Sequence, residues 1–466
     1  MSSNEDWIKY LHEKIKSGKA KIGIVGLGYV GLPLALAFTK RYSVYAYDLD
    51  RKKISLLSKG ISYLTDISSE KIKSVINKKL FVDSSPDILS NTDVIIITVP
   101  TPIYRDGHPD MSYLISAVET VSKYIRKGML IIIESTVYPG TTDEIVIPIL
   151  EESSLKAGDD FGVVFSPERV TPGNKEYDVV HMPKVIGGID KISAKLAYEL
   201  YSNVLNAKIV MVRDCKTAEA VKMLENVFRF VNISLINELA IIFEELGIDI
   251  WEVIDAASTK PIGFMPHYPG PGIGGHCIPV DPMFMLYKTR RISRDSDFIC
   301  LSYKINSYMP IHTINLLEYG LKKIGKSLRK SKIIVFGVAY KPDVNDWRES
   351  PAVYVIRELI FNGSDVDYYD PYIKEIEVME YGKVEGINKI DEHILEKYDG
   401  IIVITPHKKM MDNLITYLIK VSKKLVIVDG RNAINNSEIS RKHILLCIGK
   451  PRGDIVENTS SFSTSR

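Results

Sequence analysis

Residues 21–38 read KIGIVGLGYVGLPLALAF. Five residues of strand-like sequence lead into Gly26, Gly28 and Gly31 in G-x-G-x-x-G spacing, and an apolar run of helical period follows. The first glycine permits a tight turn, the second the close approach of a pyrophosphate, the third tight packing of helix on strand. Farther on, YSVYAYDLD (42–50) reads as a second strand that closes on Asp48. A carboxylate at that point accepts hydrogen bonds from the adenosine ribose diol and repels a 2′-phosphate, which selects NAD over NADP. Strand, glycines, helix, strand and acid in register predict a dinucleotide-binding βαβ unit. A βαβ unit serving packing alone is the weaker reading. Tyr29 and Val30, between the glycines, belong to the expected cofactor contacts. Lys53 is within reach of the adenosine side, with a solvated helix lysine as the alternative.

The same parallel sheet is expected to continue through DVIIITVP (93–100), MLIIIESTVYPGTT (129–142) and FGVVFSPERVTPGN (161–174). Ligands collect at the carboxyl ends of such strands. That places Pro100, Thr101 and Thr136 on the cofactor and Glu168 in the same crevice region, although a turn threonine and a surface acid are equally ordinary explanations. The domain is expected to close near residue 212, after KIVMV. Ahead of it, residues 4–18 read as an amphipathic helix with Trp7, Ile8, Leu11 and Ile15 on one face, in an extension spanning 1–19.

From Thr217 to about Leu246 helical period runs on without Gly or Pro, and apolar residues (Val221, Leu224, Phe228, Val231, Leu235, Leu239) fall on most faces. The pattern predicts a helix buried on several sides, a subunit interface being one way to cover them, in a central domain of residues 213–328. Lys222, Asn226 and Arg229 form one polar stripe. On so apolar a helix they are expected to line a polar pocket, because a buried lysine is costly to keep without a purpose. Next comes GPGIGGHCIPVDP (270–282), which sets Cys277 among glycines and prolines, four residues before Asp281 and a predicted helix start. The positive end of that helix would raise the thiolate fraction. A half-buried structural cysteine is the competing reading.

The organisation then restarts. SKIIVFGVAYKPDVNDWRESP (331–351), VDYYDP, GIIVITP and LVIVDGRN read as a second α/β domain over residues 329–450, with a second strand closing on Asp370. Its glycine pattern is reduced to Gly337, so a second dinucleotide is not expected; Lys341, Arg348 and Arg431 near strand ends suit phosphate instead. Residues 451–466 are Ser/Thr-rich and expected to be disordered. The fold class is therefore α/β, with two Rossmann-like doubly wound domains joined by a long central helix and a helical linker domain.

Composition excludes several classes. The chain has 466 residues, 45% of them hydrophobic, and 60 Lys plus Arg against 58 Asp plus Glu. No basic block is dense enough to track nucleic acid. Cys215, Cys277, Cys300 and Cys447 form no C-x-x-C pair, so neither a metal site nor a disulfide framework is expected. The N-terminus lacks a signal-peptide core and no segment reaches ~18 uninterrupted apolar residues, so a cytoplasmic protein without a membrane partner is expected.

A hydride acceptor beside a nucleophilic thiol defines a reaction class: alcohol to aldehyde, thiohemiacetal, thioester, and acid on hydrolysis. Lys222 and Asn226 would stabilise developing oxyanions, and Asp281 would serve as general base for the water. Here GLGYVGLPLA, ESTVYPGTT, SPERVTPGN, AEAVKMLEN, GPGIGGHCIPVDP and VAYKPDVNDWRESP together resemble the nucleotide-sugar 6-dehydrogenases, from about Lys21 to Asn432. The resemblance implies that Cys277 is the nucleophile, assisted by Lys222, Asn226 and Asp281, with Thr136 and Glu168 in the active site. It implies NAD contacts from Gly26, Gly28, Gly31, Asp48 and Arg348, UDP-sugar contacts from Lys341 and Arg431, and a homodimer built on the long helix. Arg169, Arg229, Tyr268 and Gly274 complete the expected substrate set. Pro172 and Val280 stand where UDP-glucose dehydrogenases typically carry Glu and Lys, and GFMPHYPGPG with ENVFRFVNISLINE is most similar to UDP-N-acetylglucosamine 6-dehydrogenases. UDP-N-acetylmannosamine or UDP-glucose as substrate, a single-step hydroxyacid-type dehydrogenase, and a non-catalytic NAD-binding protein are the alternatives.

Overall fold

The structure, a computed structural model, describes residues 3–64, 66–104, 106–170 and 178–452; Pro172 and nearly all of the Ser/Thr-rich tail lie outside them. The chain divides into two compact units, Met1–Glu225 with Met283–Arg294, and Asn226–Pro282 with Asp295–Arg466.

In the first unit, β1 (Lys21–Val25), β2 (Ser43–Tyr47), β3 (Leu80–Asp83), β4 (Val94–Ile97), β5 (Leu130–Ile133), β6 (Gly162–Phe165), β7 (Lys184–Gly188) and β8 (Ile209–Val212) form one sheet in the order β3-β2-β1-β4-β5-β6-β7-β8. The inner strands read VIII, LIII and GVVF and are buried at every position. Such strands are covered by helices on both faces, which is why they lack polar alternation. Each large aliphatic side chain buried there contributes about 1.5–3 kcal/mol. Because the helix Gly31–Thr39 leads from β1 to β2 on one side and β4 lies on the other, the crevice lies at the carboxyl ends of β1 and β4. The strands expected to continue the sheet run parallel, while β7, a strand the sequence reading did not single out, runs antiparallel to β6, so the sheet is mixed. The N-terminal helix Ser3–Ser17 buries Trp7, Leu11 and Ile15 in this unit's core, and the Trp7 Nε1–H donates to Asp159 O at 2.9 Å.

In the second unit, β9 (Lys332–Phe336), β10 (Asp365–Tyr369), β13 (Gly400–Val403), β14 (Val426–Asp429) and β15 (Ile444–Cys447) form a parallel sheet in the order β10-β9-β13-β14-β15. A separate antiparallel pair, β11 (Glu375–Val378) and β12 (Gly382–Glu385), has no counterpart in the sequence reading. Along the central helix Cys215–Leu246, expected to be buried on several sides, Leu224 is 70% exposed, and Phe228, Leu235, Ile242 and Leu246 are exposed as well. By length and composition this helix could cross a membrane, yet it carries Lys222, Glu238 and Glu244 within it.

Candidate active site

The first unit builds a cofactor crevice out of its glycine loop. Gly26 has φ +93°, and a Cβ on Gly31 would lie 1.9 Å from Gly26 O and 2.5 Å from Thr98 Oγ1. Both positions therefore need glycine for the chain to fold. Gly28 differs, since a Cβ there would meet nothing within 4 Å. That open space, in the turn ahead of the helix Gly31–Thr39, fits a ligand group approaching backbone N–H donors at a helix start. Asp48 closes the adenosine side. Its Oδ2 accepts the Leu27 N–H at 2.7 Å, its Oδ1 accepts the Asp50 N–H at 2.9 Å, and the Lys53 ammonium stands 3.4 Å away. The Tyr63 hydroxyl donates to Leu27 O and fixes the loop from its other side. Pro100 and Thr101 follow β4, and half-buried Thr136 follows β5, where Ser135 Oγ donates to Val99 O at 2.8 Å. Residues Gly28 to Gly31 with Asp48 could hold the nicotinamide cofactor.

Beyond β6 the chain turns at buried Glu168. The Lys222 ammonium, on the central helix, donates to Glu168 O at 2.8 Å, and Glu168 Oε1 accepts the Val170 N–H at 2.5 Å. Arg169 does not face open space: it makes a two-bond pair with Glu225 at 3.1 and 2.6 Å and donates to Pro183 O. Sequence reasoning missed a second layer here. Lys184, opening β7, donates to Glu134 Oε2 at 2.6 Å, and the Tyr201 hydroxyl donates to Glu134 Oε1. Glu219, three residues before Lys222, accepts from Gly140 N, Thr142 N and Thr142 Oγ1 at 2.5–2.8 Å and so pins the turn beyond Thr136. Burial pushes the Glu219 carboxyl up to about 7.

In the second unit the Cys277 loop is held from four sides. Asn237 accepts the Gly270 N–H at 2.9 Å and Asn306 accepts the Ile273 N–H at 2.6 Å. Arg431 Nη2 donates to Gly272 O at 3.1 Å, and the Tyr340 ring lies against Gly275, whose added Cβ would be 2.8 Å from it. Desolvation brings the Arg431 guanidinium down to about 10, which leaves it charged at neutral pH. Gly274 packs as tightly, 2.8 Å from Pro351 Cδ. At the end of the loop Asp281 starts the helix Asp281–Arg291 and donates its N–H to Cys277 O at 2.8 Å. The Asp281 carboxylate is 1% exposed and accepts from Asn226 Nδ2 at 2.6 Å. Cys277 is half-buried, with Sγ 3.5 Å from His276 Nδ1, a neighbour the sequence reading passed over. Lys341 follows Tyr340 in the loop after β9 and is half-buried.

Three expected substrate or cofactor residues are exposed. Arg229 is exposed, so the polar stripe narrows to Lys222 and Asn226. Tyr268 is exposed and stacks on Trp251 at 5.6 Å. Arg348 is exposed and pairs with Asp346 at 2.6 Å. The first unit thus gathers Glu168 and Lys222 beside a dinucleotide crevice. The second gathers a thiol, a buried carboxylate and its amide donor, and the cations Lys341 and Arg431.

Comparison with known proteins matches three successive domains of the UDP-glucose/GDP-mannose dehydrogenase family: the NAD binding domain over residues 20–205, the central domain over 216–308 and the UDP binding domain over 334–436. The chain is 37% identical over 391 residues to the UDP-N-acetyl-D-glucosamine 6-dehydrogenase of Pseudomonas aeruginosa, covering 84% of this chain and 91% of that protein. It is 37% identical over 438 residues to the UDP-N-acetyl-D-mannosamine dehydrogenase of Methanocaldococcus jannaschii, covering 91% and 94%. Among solved structures, the UDP-D-ManNAc dehydrogenase of Pyrococcus horikoshii superposes with a TM-score of 0.84 at 34% identity, covering 92% of this chain and 99% of that one.

Proposed function

Because this chain belongs to the UDP-glucose/GDP-mannose dehydrogenase family and is an NAD-dependent UDP-sugar dehydrogenase, we propose that it oxidises the C6 alcohol of UDP-N-acetylglucosamine to the uronate. The observation that carries the mechanism is the buried Asp281 carboxylate, held by Asn226 at 2.6 Å one turn beyond Cys277. NAD supplies the acceptor for each of two hydrides. The Cys277 thiolate adds to the C6 aldehyde left by the first oxidation and forms a C–S bond. Lys222 and Asn226 stabilise the resulting oxyanion. Loss of the second hydride leaves a thioester, and Asp281 takes a proton from the water that cleaves it, releasing acid and thiol. Thr136 and Glu168 line the reacting end. Gly274, Lys341 and Arg431 hold the nucleotide, with Arg169, Arg229 and Tyr268 as outer contacts. Residues 20–212 hold the cofactor, 213–328 the catalytic thiol and 329–450 the nucleotide.

UDP-N-acetylmannosamine is the second reading, supported by the equal identity to a relative named for that sugar. The exposed apolar row Leu224, Phe228, Leu235, Ile242 and Leu246 on the central helix supports a homodimer through that helix. The deciding experiment counts NADH per sugar with UDP-N-acetylglucosamine, UDP-N-acetylmannosamine and UDP-glucose in turn. Two NADH with the first is the expected result; two with another corrects the sugar. One NADH removes the thioester route, and none with any of the three removes the function. Cys277→Ala is expected to bind NAD and form no uronate.

A further inference from the structure

Four side chains meet behind Glu168 at the carboxyl end of the first sheet. Glu134 follows β5, Lys184 opens β7, Tyr201 lies on the helix Lys191–Ser202, and Lys222 lies on the central helix. All four are buried, with Lys184 only 6% exposed. The Lys184 ammonium is 2.6 Å from Glu134 Oε2 and 4.0 Å from Glu168 Oε2, and it lies over the Tyr201 ring at 5.2 Å. Tyr201 donates to the other oxygen of Glu134, while Lys222 approaches Glu168 through its backbone carbonyl. Among the described residues, Arg169 and Glu225 close to Glu168 pair with each other at 2.6 Å. Glu134 is raised by burial with Lys184 opposing, and burial also lifts the Tyr201 phenol, which keeps it a donor.

We infer that Lys184 is a positioning residue for Glu168: tied to Glu134, it sets a fixed positive charge beside the Glu168 carboxylate without occupying it. The short contact is spent on Glu134. At 4.0 Å the ammonium acts on Glu168 by charge alone, so Glu168 Oε2 remains able to meet a substrate hydroxyl or a water. Lys184, Glu134 and Tyr201 lie 50 and 67 residues apart along the chain, and nothing in the proposed function uses them.

The inference rests on the placement of Glu168 in the active site, and two substitutions of opposite charge effect test it. Lys184→Met removes the positive charge and is expected to move the acid limb of the kcat/KM profile up by about one pH unit, with KM for NAD within about twofold. Glu134→Gln removes the competing negative charge and is expected to move the same limb down. Lys184→Arg restores the limb. A residue that merely holds the fold would lower the melting temperature and scale the rate equally at every pH, and limbs unshifted in both variants overturn the inference. If Lys184→Met does not fold, the direction of the shift in the near-isosteric Glu134→Gln decides alone. Wild-type NADH stoichiometry is measured first: fewer than two NADH per sugar overturns the proposed function and this inference with it, whereas two NADH with unshifted limbs overturns the inference alone.

Discussion

The β1–β2–β4 and β9–β10–β13 regions are built alike and end differently. In the first, Asp93 just ahead of β4 accepts the Lys21 N–H that opens β1, along with the Lys14 ammonium. In the second, Asp399 just ahead of β13 accepts the Lys332 N–H that opens β9, along with the Lys326 and Lys423 ammoniums. Each second strand ends in an acid, Asp48 or Asp370, that accepts backbone N–H groups from the glycine turn. The loops then diverge. Helix Gly31–Thr39 starts five residues after Gly26, whereas helix Pro351–Phe361 starts fourteen after Gly337. Asp370 is also closed off by a histidine. His407 Nδ1 accepts the Asp343 N–H at 2.9 Å, so its proton is on Nε2 and is donated to Asp370 at 3.0 Å. Strand-end acids and turn glycines thus serve the fold in both regions, and only what remains open after the fold is satisfied can serve a ligand.

The sharpest break of this comparison is a glycine series. Gly31→Ala places a Cβ 1.9 Å from Gly26 O, and Gly337→Ala places one 1.9 Å from Thr405 O. Neither backbone can yield, so both variants are expected to lose folded protein or at least several kcal/mol of stability. Gly28→Ala meets nothing and is expected to melt within about 1 kcal/mol of wild type, while NAD binding by calorimetry weakens at least about tenfold. Unchanged NAD affinity in Gly28→Ala would show that the open space belongs to something else.

A smaller effect separates the two acids. Asp370→Asn leaves the Val338, Ala339 and His407 donors facing a neutral amide and is expected to cost about 2–4 kcal/mol in denaturant unfolding, with the NAD-to-NADP preference unmoved. Asp48→Asn is expected to cost less stability, since fewer donors converge on it, and to erode the preference for NAD by about tenfold or more. Reversed phenotypes would mean that the second region is the one reading a dinucleotide.

What the sequence made legible follows from the same distinction. The glycine spacing, Asp48, the apolar strands and the Cys277 loop are local signals, each compressed into a dozen residues. Asn226 and Asp281 were legible as chemistry, and their 2.6 Å bond joins positions 55 residues apart. Lys184 and Glu134 gave no such signal, because a lysine opening an apolar strand reads as an exposed strand end until Glu134 is seen beside it. The pair Arg169 makes with Glu225 gave no signal either, because the two lie 56 residues apart. The β11–β12 pair was missed because β12 is polar, with Val384 alone among its residues not fully exposed. Period shows that the central helix is apolar, and not which neighbour covers its exposed row.

The smallest expected effect concerns Asp399, and it tests whether the shared strand-start acids are purely structural. Burial pushes this carboxyl up, but the Lys326 and Lys423 ammoniums and the Lys332 N–H outweigh it and bring the group down to about 2. A carboxyl lower in the folded than in the unfolded chain stabilises above its unfolded value, about 4, and loses that contribution as pH falls toward 2. Lys326 and Lys423 are 43% and 36% exposed, so solvent screening holds the gain to about 1 kcal/mol. Asp399→Asn should therefore destabilise by about that amount at pH 7, and the difference should shrink between pH 4 and pH 2. Oxidation of the UDP-sugar at pH 7 should keep its KM, because the acid lies at the start of β13, at the opposite end of the strand from Thr405 and the loop that carries Lys341. A raised KM with stability unchanged would mean that the strand-start acid reaches the nucleotide site, and the division between fold-serving and ligand-serving acids would fail in this region.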